Sequence, residues 1–371
     1  MDAIMSLTDF LSSTDAPIAV RKPQAKVAFG AAAPSGLAID IPLLSPAADP
    51  WARSLVSVIS RCALAPHVDI THLQTASDTQ APAVALDDTG SIGLGYQDEG
   101  THPVMHGHIH QISLTTHNAT TVTVANGGAL LSQLRLNQSY EQQTAGDLVA
   151  DLCNQAGVAI GAVESGIDYA FYVIDDRINA FQHIHRLARH CGYLAYFDTT
   201  GALYFGPAQA GAAVQSFSYH NDILRLSVRQ SAGASAAVTV TGAGAAGAQG
   251  QDAWSWLVKD PAGVTAAAGD GRARRYGAPA LRSVDAVQAC AAGLASASTT
   301  LALRGEIVTP GAPLVVVGSR IAISEAPGAE MNGEFLVTQV CHTYTKAAGF
   351  ISVIQFTQSA SNGSALLGGL L

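Results

Sequence analysis

Charge is scarce in this sequence. Asp, Glu, Lys and Arg make up 13% of its 371 residues, about half the share of an ordinary soluble domain. Too few ionic side chains remain to coat a lone monomer, so one reading is that much of the surface is sealed against partners. The other is that an Ala- and Gly-rich composition raises the apolar count without large exposed patches. Oligomeric state separates the two. Basic residues are scarcer still, 19 against 28 acidic ones, which argues against a duplex-binding surface, whose affinity rests on Lys and Arg neutralising phosphates. The five cysteines, Cys62, Cys153, Cys191, Cys290 and Cys341, are odd in number and scattered. That excludes a dense disulfide framework and leaves reduced core thiols as the simplest reading. No positively charged, apolar leader opens the chain, so synthesis in the cytoplasm is expected. The uncharged run 286–303 approaches the length of a membrane span, but Gln288 and its several Ser and Thr make it a poor one.

What is present centres on residues 140–207. Leu148, Val149, Leu152, Cys153 and Ala156 fall on one helical face. Thr144 with Asp147 three residues on forms a capping-box pattern, and Gly157 can close the helix in the left-handed conformation. After an extended piece at 169–174, a second helix carries Ile178, Phe181, Ile184, Ala188 and Cys191, with Asp175 or Asp176 as expected cap and Gly192 as stop. Residues 193–197 and 202–205 then alternate as a hairpin around the turn 198–201. The expected order is helix, strand, helix, hairpin.

Around this unit the text is β-like. Residues 1–16 read as an amphipathic arm, and 17–136 as short strands forming a barrel or sandwich, the clearest at 104–114 and 120–124, with a helix at 49–62. Residues 137–210 form the α+β middle. Residues 211–357 return to strands, interrupted by a loop insertion at 242–282 and a helix at 284–298, and 358–371 form a flexible tail. The fold class is therefore mixed α+β, mainly β.

Four constellations invite chemistry. Asp88, Thr89, Gly90 and Ser91 spell an aspartic-peptidase core, with Val316, Val317 and Gly318 as the bracing element. The same residues are ordinary turn chemistry, and there is no second copy. His106, His108 and His110 alternate on one strand and, with His102 or His117, offer a metal row. Their roughly 7 Å spacing is long for a shared ion. Gly242, Gly244 and Gly247 fit a dinucleotide fingerprint but lack a following helix. His183 and His185 stand on opposing faces of the second helix, and His190 near its end suits the helix dipole. No catalytic, cofactor-binding or metal site is assigned from these patterns.

Ile184, Leu187, Ala188, Gly192, Gly201, Leu203 and Phe205 lie in a helix-hairpin pattern. Towards the end come an Ala-rich helix, the segment Thr309, Pro310, Gly311, a strand at 314–317, and a hairpin of 334–344 with 349–356. Over residues 60–357 this order resembles the phage late control protein D family, the baseplate hubs of contractile tails. That family is related to the N-terminal hub part of the valine-glycine repeat spike proteins of type VI secretion. The resemblance implies two tube-forming β-barrels flanking the α+β middle, and a homotrimer whose six barrel units adapt a three-fold spike to a six-fold tail tube. It implies as partners a spike on a separate polypeptide, the tail tube protein and other baseplate proteins, the tape measure among them. DNA or an effector would pass the lumen without specific binding, and the protein would carry no cofactor, touch no membrane, and be assembled from the bacterial cytoplasm into the baseplate. A hydrolase acting through Asp88 or through the row His106, His108 and His110 is the alternative.

Overall fold

The computed structural model describes residues 21–29, 50–76, 84–115, 119–231, 237–243 and 264–358. The arm 1–16, the stretch 244–263 of the insertion, His117 and the tail from 359 onward lie outside the described residues.

Alternation of β-branched and small residues writes the first half as six strands: β1 (Pro23–Phe29), β2 (Leu55–Ala63), β3 (Ile70–Ala76), β4 (Thr89–Tyr96), β5 (Gly100–Leu114) and β6 (Ala119–Ala125). The helix expected at 49–62 shrinks to α1 (Pro50–Ser54). From Leu55 on, Val56, Val58 and Ile59 favour the pleated surface, and burial alternates from Val58 to Arg61, past a register shift between Leu55 and Ser57. Val27, Leu73, Ile92, Ile109 and Val124 form the core of this half.

The middle opens on α2 (Gly127–Gln133), followed by β7 (Gln138–Thr144), α3 (Ala145–Ala156), β8 (Ile160–Val163), β9 (Asp168–Ile174), α4 (Ala180–Cys191), β10 (Leu194–Phe197) and β11 (Leu203–Gly206). The Thr144–Asp147 capping box forms, and Gly157 ends α3 at φ 68°. The cap of α4 is neither Asp175 nor Asp176. Asn179 takes that place, in a capping box with Gln182, because Asp175 is engaged by the backbone and guanidinium of Arg177. Strands β7 and β8, unforeseen from the sequence, complete the middle: β7 pairs with β9, and β8 runs beside β11.

The second half supplies β12 (Gln215–Ser218), β13 (Arg225–Gln230), β17 (Leu303–Pro310), β18 (Arg320–Ser324), β19 (Gly333–Thr345) and β20 (Gly349–Gln358). Part of the expected loop 242–282 is ordered. β15 (Thr265–Ala268) and β16 (Arg274–Gly277) flank β14 (Val238–Thr241) in a small sheet, on which α5 (Val284–Thr300) packs. No strand forms at 314–317. Pro310, Gly311 and Pro313 turn the chain there, and Val315 and Ser319 donate back to Ala312 and Val316.

Both halves join one sheet of 12 strands in the order β1-β4-β5-β6-β3-β2-β19-β20-β17-β13, with β18 branching from β19 and β12 from β18. Counted in chain order, the first half lies as first, fourth, fifth, sixth, third, second. The second half, β12-β18-β19-β20-β17-β13, lies in the same order. Only the first pairing differs in sense: β1 runs antiparallel to β4, β12 parallel to β18. The fold is thus mainly β with an internal duplication of topology, and closure of either half into a barrel is not seen among the described pairings.

Candidate functional site

The duplicated halves meet where β2 pairs antiparallel with β19, from Ser57 against Thr345 to Ala63 against Gln339. Tyr344 and Phe350 of the second half enter the core of the first, so the seam is packed as well as hydrogen-bonded. Beyond Ala63 the chain ties three parts together within a few residues: Leu64 donates to Thr338 of β19 and Ala65 to Ala195 of β10.

Asp69 closes this junction. It is 4% exposed. One carboxylate oxygen accepts from the Ala63 amide at 2.8 Å and the other from the Asn126 side chain at 2.6 Å. The Asn126 carbonyl oxygen in turn caps α2 through the Gly128 amide at 2.9 Å. Burial pushes the Asp69 carboxyl up to about 7, against the pull of those two hydrogen bonds. Cys62, His106 and His342 line the same small cavity of about 20 Å³, and burial holds the His342 ring down to about 4 while its Nδ1 pairs with Ser352. Asp69 belongs to none of the motifs legible in the sequence. The available signal was a lone carboxylate between the apolar residues Val68 and Ile70, just ahead of the strand Ile70–Ala76.

Among the strand edges without a strand partner among the described residues, those of β13 and of the end of β5 bear on assembly. β13 ends the main sheet, with β17 on one side and no strand on the other among the described residues. On β5, β4 covers residues 100–108 of one side and β6 covers 108–114 of the other. Beyond Ile109, which bonds the turn at Asp87 and Asp88, the β4 side of β5 has no strand partner among the described residues, and Leu114 there is 79% exposed. Such edges offer ready templates for another chain.

The residues singled out from the sequence do not assemble into a catalytic centre. The Asp88 carboxylate accepts from the Ala85 amide in an exposed turn, whereas Val316 and Val317 line the cavity at Asp69. His108 and His110 meet edge to face with ring centroids 6.1 Å apart, but His106 turns to Gly201 of the β10–β11 turn. Among the described residues, no three His, Cys, Asp or Glu side chains converge to hold a metal ion. Gly242 and Ala243 donate to Val264 and Leu281 within the small sheet region, and Gly244 and Gly247 lie outside the described residues. His183 and His190 are buried against Tyr172 and Tyr169. His185 lies on another side of α4, near Ala65.

A sequence model of phage tail baseplate hub (GPD) proteins matches residues 65–348. The chain belongs to that family. This GPD-family chain has the structural tail role of its family, within the virion. The structure of the prophage MuSo2 43 kDa tail protein from Shewanella oneidensis superposes with a TM-score of 0.64 at 13% identity, covering 92% of this chain and 99% of that one. A tail protein from Neisseria meningitidis MC58 gives 0.63 at 12% identity over 82% of this chain and 93% of that one. A component of the Escherichia coli type VI secretion system gives 0.53 at 13% identity, over 82% and 74%. At such identities the likeness is one of fold. No curated protein matches the chain. Among the described residues, no helix of this GPD-family chain is long and apolar enough to cross a membrane.

Proposed function

We propose that this chain builds a non-enzymatic hub ring from three copies, set between a three-fold spike and a six-fold tail tube. The observation that carries the reading is the strand order repeated in the two halves. One chain then offers two similar units side by side, and three chains offer six, which lets one face of a ring meet a six-fold partner and the other a three-fold one.

The seam inside the chain supplies a template for the seam between chains. In chain order, β2 is the second strand of the first half and pairs with β19, the fifth strand of the second. β13 is likewise the second strand of the second half, and β5 is the fifth of the first. In a ring, β13 of one copy would therefore pair with the open side of β5 of the next, also antiparallel. The continuous path from β5 to β13 contains eight strands, so three copies would close a wall of three times eight. Low charge supports this reading, because edges and faces sealed between copies need no ionic coat. The acid-rich balance suits a lumen that DNA or an effector passes without sticking.

The test is two-sided binding. The full chain, mixed with the tube protein and the spike protein of the same tail, should bind both at once. Binding of neither, with the chain folded, would overturn the reading.

A further inference from the structure

The two-stranded sheet of β7 and β9 leaves both its outer edges without a strand partner among the described residues. Each edge opens on a cleft. The one along β7, of about 650 Å³, is lined by the successive residues Ser139, Tyr140 and Glu141, and by Asp147 and Asp151 of α3. The one along β9, of about 510 Å³, is lined by the successive residues Phe171, Tyr172 and Val173, by Arg186 of α4, and by Arg282 ahead of α5. Side chains alternate between faces along a strand, so a run of successive residues at one cleft places the backbone edge itself along its floor.

The two clefts carry opposite charge. Three carboxylates border the β7 edge, and two guanidiniums border the β9 edge, where no carboxylate is among the lining residues. In a chain with a net charge of −9, a paired basic cleft is a local departure. Arg282 is held over the Phe171 ring at 5.3 Å, which presents a cation beside the strand edge. Val173, at the same place, is 51% exposed.

We propose that the β7 edge of one copy seats on the β9 edge of the next, acidic cleft to basic cleft, tying the middle regions of the ring together. This rests on the ring reading above and names a seam that the main sheet does not supply. Contact between unlike patches runs head to tail, the kind of interface that closes into a ring. Rotation about an axis near the strand direction preserves that direction. Because β7 and β9 are antiparallel within one chain, β7 of the neighbour meets β9 antiparallel as well. Main-chain pairing would provide affinity, and the charges would select the register. A two-stranded sheet, marginal by itself, would gain neighbours on both sides.

Reversing charges on exposed side chains tests this with the full-length chain. Glu141→Arg and Arg186→Glu are each expected to weaken self-association at least tenfold in sedimentation velocity at low salt. The double variant, which restores opposite charges across the seam, should recover most of the loss. Circular dichroism and thermal midpoints should stay at the parental values. Rings that persist unchanged in both single variants would overturn this seam and leave the ring reading standing. So would a double variant as dissociated as the singles. A parental chain that stays monomeric at every concentration would overturn both.

Discussion

Gly192 and Gly293 touch backbone to backbone: a Cβ built on Gly293 would lie 2.6 Å from the amide nitrogen of Gly192. Gly192 ends α4 at φ 68°, and Gly293 sits in the buried face of α5, so this contact fixes the helix of the second half against the middle. Neither side can yield by turning a side chain. Gly293→Ala should destabilise the fold by about 1–3 kcal/mol through overpacking. That loss would appear despite the roughly 1 kcal/mol that alanine ordinarily adds to a helix interior. Urea unfolding measures it, and an unchanged or raised midpoint would contradict the contact.

Asp69 should write itself into the pH dependence of stability. Its carboxyl stands at about 7 in the folded chain, above the roughly 3.9 of an unfolded carboxyl. Between those values the folded state keeps a proton that the unfolded state has lost. The stability due to this group is therefore full below pH of about 4 and is lost as the pH rises towards 7. His190 and His342, both held down to about 4 by burial, act with the opposite sign, their contribution being lost as pH falls. They are common to the parent and to Asp69→Asn, so they cancel in the difference. The stability of the parent minus that of Asp69→Asn should shrink by up to about 1.4 kcal/mol for each unit the pH is raised through this window. A difference independent of pH would mean that Asp69 is charged throughout.

The edge of β13 can be blocked without disturbing its inner ladder. Ser231 donates inward to Ala302, and alternation along the strand turns the Gln230 amide outward. Gln230 is exposed. Gln230→Pro removes that outward donor and should lower self-association at least tenfold, while the unfolding midpoint of the monomer moves little. Undiminished assembly would place the seam between chains elsewhere.

The turn reading of Asp88 is equally open to measurement. Asparagine keeps an oxygen that can accept from Ala85, so Asp88→Asn should fall within about 0.5 kcal/mol of the parent. Neither protein should hydrolyse a casein substrate. Hydrolysis by the parent that is lost in the variant would instead support the peptidase alternative.

How much of this was legible in the sequence follows the range of the interactions. Local signals read well: Thr144 with Asp147, Gly157 and Gly192 as helix ends, and the hairpin around Gly201 all depend on residues within a few positions of one another. Two Asx-type caps within five residues did not read. Asp175 and Asn179 are alike in sequence, and only the Arg177 contact and the partner Gln182 separate them. The helix expected from residue 49 to 62 failed where tertiary pairing with β3 and β19 overrode an ambiguous apolar run. The duplicated strand order is wholly long-range. It lives in pairings such as Cys62 with Val340, and the two halves reach it with different residues, so the sequence alone could not display it. Asp69 was missed for a related reason, since its partners Ala63 and Asn126 come together only in the folded chain.

The proposed hub ring requires that the duplicated halves let three copies close around a pore. Native mass spectrometry of the purified full chain, joined to rotationally averaged electron micrographs of the same sample, tests it most directly. A three-copy mass and an open ring with six similar lobes are expected. A single-copy mass at micromolar concentration, with no central hole in the images, would contradict it.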